Sequence, residues 1–141
     1  MSTRSFICKE MSDGSFYGIY CHNNGGLKDN GAMLLENYTE PSKIDKLLTL
    51  GDLSLLGAQI EDADNPDDFT KKCCAYSRDF GEDYEHNQPR FVLLRNARRS
   101  DIKFMYVFGL DGKWRYINLW EKRSKFQDVQ EALQKEKAAE M

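Results

Sequence analysis

The stretch Tyr17-Gly18-Ile19-Tyr20-Cys21-His22-Asn23-Asn24-Gly25-Gly26 constrains this chain most. Its first half reads as a strand, with Phe16, Gly18 and Tyr20 on one face and Tyr17, Ile19 and Cys21 on the other. The polar, glycine-rich run then ends the strand. Beyond it, Leu27, Gly31, Leu34 or Leu35, and Tyr38 recur at helical spacing. A strand that hands over to an amphipathic helix through so short a corner calls for a helix lying against a sheet. Gly31, on the inward stripe, suits a close approach between the two. His22, one of only two histidines, stands at the corner itself.

The flanking segments extend this pattern. Thr3 to Glu10 and Ser15 to Cys21 form an N-terminal hairpin around Ser12-Asp13-Gly14. Pro41 opens a second helix that carries Ile44, Leu47 and Leu48 and stops at Gly51. Asp52 to Gly57 reads as a short helical turn capped by Asp52. The acidic run 61–68 is a loop, Lys72 to Ser77 a third strand, and Arg78 to Gln88 a polar loop. Pro89 to Arg99 fits a helix or a strand; the scarcity of β-branched residues favours helix. Ile102–Phe108 and Trp114–Trp120 pair through the Gly109–Lys113 turn, with an aromatic face from Phe104 to Trp120. A helix over about 125–138 closes the chain. The expectation is a single α+β domain over residues 1–141: about five antiparallel strands, with three to four helices packed mainly on one face.

Composition narrows the function classes. Hydrophobic residues at 40% fit a globular chain, and a formal net charge of −3 argues against a general nucleic-acid coat. No apolar run approaches a membrane span and the first residues hold no signal region, so a cytoplasmic location is expected. The four cysteines form no CxxC pair, which fits buried thiols better than a zinc ribbon or a disulfide framework. There is no GxSxG elbow, no GxGxxG loop and no Walker lysine pattern. Cys21 adjoins His22, but strand neighbours point to opposite faces, so one cannot readily activate the other.

Three groups of residues can carry chemistry. His22, Asn23 and Asn24 at the glycine corner could contact an anion or nucleotide, or simply hold the turn. Arg78, Asp79 and Glu82, with Asp83, could bind a divalent cation or supply a general base, or form an ion-paired loop. Arg95, Arg98 and Arg99, with Arg90 and Lys103 nearby, are the one basic concentration, suited to nucleic acid or an acidic partner, or to a solvated helix face.

Three patches carry a resemblance: the start Ser2-Thr3-Arg4-Ser5 with Ile19-Tyr20-Cys21-His22, then Leu50-Gly51-Asp52-Leu53-Ser54-Leu55-Leu56-Gly57, then Ala75-Tyr76-Ser77-Arg78-Asp79-Phe80-Gly81-Glu82-Asp83. Over roughly residues 2 to 83 the chain resembles small uncharacterised proteins of tailed bacteriophages and prophages. That resemblance implies a phage origin and the host cytoplasm, and it implies no established activity. The family tends to have Trp-Asp after the corner histidine and a second histidine in the later segment. Here Asn23-Asn24 and Ser77 stand in those places, so any His–Asp–His set the family possesses is incomplete. The first expectation is therefore an accessory protein that binds a host protein or a small nucleotide ligand, with no cofactor and no metal. The alternatives are a metal-dependent phosphoesterase using His22, Asp79, Glu82 and Asp83, and nucleic-acid binding through the arginines.

Overall fold

The computed structural model describes residues 3–60 and 72–139; the expected acidic loop over 61–68 lies outside them. The N-terminal hairpin forms as its alternation dictates. Strands β1 (Ser5–Glu10) and β2 (Phe16–Cys21) pair antiparallel from Ser5↔Cys21 to Glu10↔Phe16. Gly25 and Gly26 then lead into one wide π turn, Leu27–Gly31, that runs on into α1 (Ala32–Asn37). A Cβ on Gly31 would sit 3.3 Å from the Tyr106 ring, so this glycine does let the helix press against the sheet. Helix α2 (Pro41–Thr49) starts at its proline and ends at Gly51, whose φ of 77° is the left-handed stop expected of it.

The sheet is larger and more mixed than five antiparallel strands. Among the described residues it has eight, in the order β4-β3-β2-β1-β6-β7-β8, with β5 beside the first half of β2. The added strands are β3 (Leu53–Leu55), β4 (Cys74–Ala75), β5 (Arg90–Val92), β6 (Phe104–Phe108), β7 (Trp114–Asn118) and β8 (Gln127–Asp128). β1 runs parallel to β6, from Ser5↔Phe104 to Lys9↔Phe108, and β2 runs parallel to β3. The fold is α+β with three substantial helical segments: the wide turn with α1, then α2, then α6 (Val129–Ala139).

Several local expectations change for identifiable reasons. Asp52–Gly57 is not a helical turn. The His22 and Asn23 amides donate to the Leu53 and Ser54 carbonyls, which draws the segment into the sheet as β3. The third strand shortens to two residues because Tyr76 begins α3 (Tyr76–Phe80), and the expected loop beyond it folds into α4 (Tyr84–Asn87), capped by the Asp83 side chain. The ambiguous 89–99 segment is both things in turn, β5 and then the single turn α5 (Leu94–Ala97). The last helix begins at Val129 rather than near 125, since Gln127–Asp128 pairs with β7.

Two cores flank the sheet. On one face Ile7, Ile19, Tyr106 and Trp114 meet Leu34, Ile44, Leu47 and Val129 of the long helices. On the other, Cys8, Met105, Val107 and Ile117 are covered by Val92, Ala97 and Leu119, with Phe126 packed against them. Residues of α1, α2 and α6 thus join the first core, and Ala97 of α5 the second. The aromatic hairpin is core as its density suggests, except Trp120, which lies past the end of β7 and is 59% exposed.

Candidate functional site

The corner is held by its own hydrogen bonds. Beyond the His22 and Asn23 amides, Gly25 donates to the Thr3 carbonyl and the Asn23 side chain bonds the Ser54 carbonyl at 2.8 Å. Asn24 takes a left-handed φ of 59°, and its carbonyl accepts from the Asn30 amide. Asn30 is fully buried and reaches Ser5 Oγ, Cys21 Sγ and the Asn23 carbonyl. Tyr106 Oη donates to the Gly25 carbonyl at 2.6 Å. Three corner amides that a phosphate would need are thus spent on backbone carbonyls. On its outer rim Asn24 opens on a groove of about 490 Å³ shared with Asn30, Met33, Asn37 and Leu56.

His22 turns away from that groove. Its Nδ1 lies 2.7 Å from Tyr20 Oη. Cys21 points the other way, into the core, where burial pushes its thiol up to about 12. The expected separation of this Cys–His neighbour pair is what the strand delivers.

The alternation of β2 then exposes a feature that sequence reasoning missed. The backbone groups of Phe16 and Gly18 face β5, through Phe16↔Val92 and Gly18↔Arg90, while the His22 amide bonds the Leu53 carbonyl of β3. Between those two partners the Tyr20 amide would be orphaned. Asp52 fills the gap: its Oδ1 accepts from the Tyr20 amide at 2.9 Å and its Oδ2 from Arg90 Nη2 at 2.6 Å. Its own amide donates to the Asn87 carbonyl. Asp52 therefore splices two strand ends onto one edge of β2. Burial raises its carboxyl above the ordinary carboxylate range, against the pull of Arg90 and the Tyr20 amide, and the charge of Glu82 adds to the rise. The only sequence signal was an aspartate ahead of Leu53-Ser54-Leu55-Leu56, which was equally good as a helix cap.

The second candidate group divides. Asp79 turns back on its own strand and accepts from the Ala75 amide at 2.8 Å, with Arg78 at 3.0 Å and Lys72 at 3.5 Å. Burial raises its pKa, but the Arg78 hydrogen bond, the Ala75 amide and the nearby cations outweigh it and hold the carboxyl below the usual range. Arg78 also binds the Ile60 and Cys73 carbonyls. Asp83 caps α4 and pairs with His86, while Glu82 lies toward Asp52. His22 is thus bonded to Tyr20, and Asp79 to Ala75, Arg78 and Lys72. Among the described residues, no group of three or more His, Cys, Asp or Glu side chains is placed to hold a metal ion.

The third group is split by role. Arg98 donates to the Glu121 and Ser124 carbonyls at 2.9 Å and pins that turn to α5, while Arg95 and Arg99 are exposed. Among the described residues, no helix is long and apolar enough to cross a membrane. Comparison with protein-family profiles, curated proteins and solved structures finds no match to this chain.

Proposed function

We propose that this is a phage accessory protein that acts in the host cytoplasm by binding a host protein, and that β5 is where the partner docks. The observation that carries the reading is the exposure of Phe91 (62%) on a short strand that, among the described residues, pairs with β2 alone, with Leu93 (57%) exposed just past the strand's end. Large apolar side chains clustered on a surface mark interaction sites. Leu93 keeps an extended backbone (φ −88°, ψ 128°), so the alternation of β5 carries on to put it on the face of Phe91, where Phe91 stacks edge-on against Tyr17 at 5.0 Å. Beside them runs a groove of about 280 Å³ lined by Lys9, Tyr17, Leu48, Tyr84 and Pro89. Because Phe16 and Gly18 take the inward backbone bonds, the register directs the Phe91 amide and carbonyl away from β2. An extended segment of a partner can add there as a further strand and seat a side chain in the groove. The resemblance of residues 2 to 83 to small tailed-phage proteins supports a bacterial partner.

The test is capture from bacterial lysate with the wild-type chain and with Phe91→Asp and Leu93→Asp. Each exposed site tolerates substitution within about 0.5–1.5 kcal/mol, the upper figure allowing for the lost Tyr17 stack. Circular dichroism should therefore be unchanged while the specifically captured protein disappears. Equal capture by wild type and both variants would remove β5 from the account. A thermal-shift screen with nucleotides tests the competing small-ligand reading at the groove beside Asn24.

A further inference from the structure

The arginines of α5 and of the turn that follows it do not stand alone. Arg98 ties α5 to the turn after β7, and Leu119 donates to the Lys103 carbonyl, so segments 94–103 and 119–126 adjoin. Together they carry Arg95, Arg98, Arg99, Lys103, Lys122, Arg123 and Lys125 against Asp101 and Glu121. Asp101 is itself paired with Arg4. The rest of the chain holds thirteen basic and twenty-one acidic residues, so this is a local cationic face on an otherwise acidic protein. Trp120 stands within it, 59% exposed, its amide fixed by the Asn118 side chain and its ring under Lys103 Nζ at 5.3 Å.

We infer that this face binds single-stranded nucleic acid, with Trp120 as the stacking platform and Arg95, Arg99, Lys122 and Arg123 as phosphate contacts. Charge alone would suit any polyanion. A large flat ring held open among cations adds what an unpaired base requires, because every base has a π-face to lay against it. Duplex DNA hides those faces, so the single strand is favoured. Arg98 is a positioning residue: it holds the turn that carries the ring. This surface is separate from β5's Phe91 face, so either binding function can fail without the other.

Fluorescence anisotropy with labelled dT and U oligomers of about twelve nucleotides tests it. Duplex DNA of the same length, heparin and phosphatidylglycerol vesicles serve as competitors. Binding at low salt should weaken steadily as salt rises. Trp120→Ala should weaken it roughly tenfold with the charge unchanged, and Trp120→Phe should restore most of that loss. Arg95→Glu with Arg99→Glu should abolish it. No binding at low salt would overturn the inference. So would equal affinity for duplex, heparin or vesicles together with indifference to Trp120→Ala, since that describes a polyanion surface only.

Discussion

Asp52→Ala is expected to destabilise the protein by about 2–3 kcal/mol and to loosen β5 and β3 from β2 together. The change strands the Tyr20 amide, at a cost of about 1–3 kcal/mol for a shielded donor. It also leaves Arg90 without its carboxylate. Arg90 is 40% exposed, so solvent screens part of that pair and keeps the total below the cost of breaking a fully buried one. Asp52→Asn keeps an oxygen for the amide and should cost less. The pH dependence separates the two contributions. A carboxyl whose pKa is higher in the folded state than in the unfolded chain loses stability as pH rises from the ordinary carboxylate value through the raised one. Asp52 is such a group. Removing its cation in Arg90→Ala raises the folded value further, so that variant should lose more stability at pH 8 than at pH 5. Denaturant unfolding at the two pH values reads the difference; equal losses would mean that Asp52 does not feel Arg90.

The second large effect is expected at Gly18, in the middle of the same strand. A Cβ there would lie 2.1 Å from the Ile7 carbonyl oxygen and 2.7 Å from Cys8 Sγ. Both belong to β1, and the carbonyl oxygen cannot swing aside as a flexible side chain could. Gly18→Ala must therefore separate β1 from β2 where Cys8↔Gly18 and Gly18↔Arg90 meet. The cost should reach the upper end of overpacking penalties, about 3 kcal/mol. Thermal unfolding checks this, and an unchanged midpoint would show that the two strands are less tightly apposed than the structure has them.

What the sequence revealed follows from range. The hairpin, the Gly31 approach, the Pro41 start and the Gly51 stop are local chemistry, and each was legible. The parallel pairing of β1 with β6 joins residues about a hundred positions apart, and no local pattern encodes it. Strands of two or three residues such as β4, β5 and β8 are too short for periodicity to register. The corner was legible as the end of a strand, but its bonds to β3, Thr3 and Tyr20 join residues distant in the chain or set by the sheet. Asp52 escaped notice because one aspartate can cap a helix or replace a strand partner, and only the neighbouring strands decide which. Trp120 read as part of the hairpin's aromatic face because the strand's end at Asn118 is set by the turn that Arg98 and Ser124 hold.

The central claim is that a partner adds itself along β5. Amide hydrogen exchange, measured with and without the captured partner, tests it at the backbone. The account predicts that the outward Phe91 amide exchanges readily in the unbound protein and is protected in the complex. Protection confined to the corner around Asn24 or to the turn around Trp120, with β5 unchanged, would contradict it.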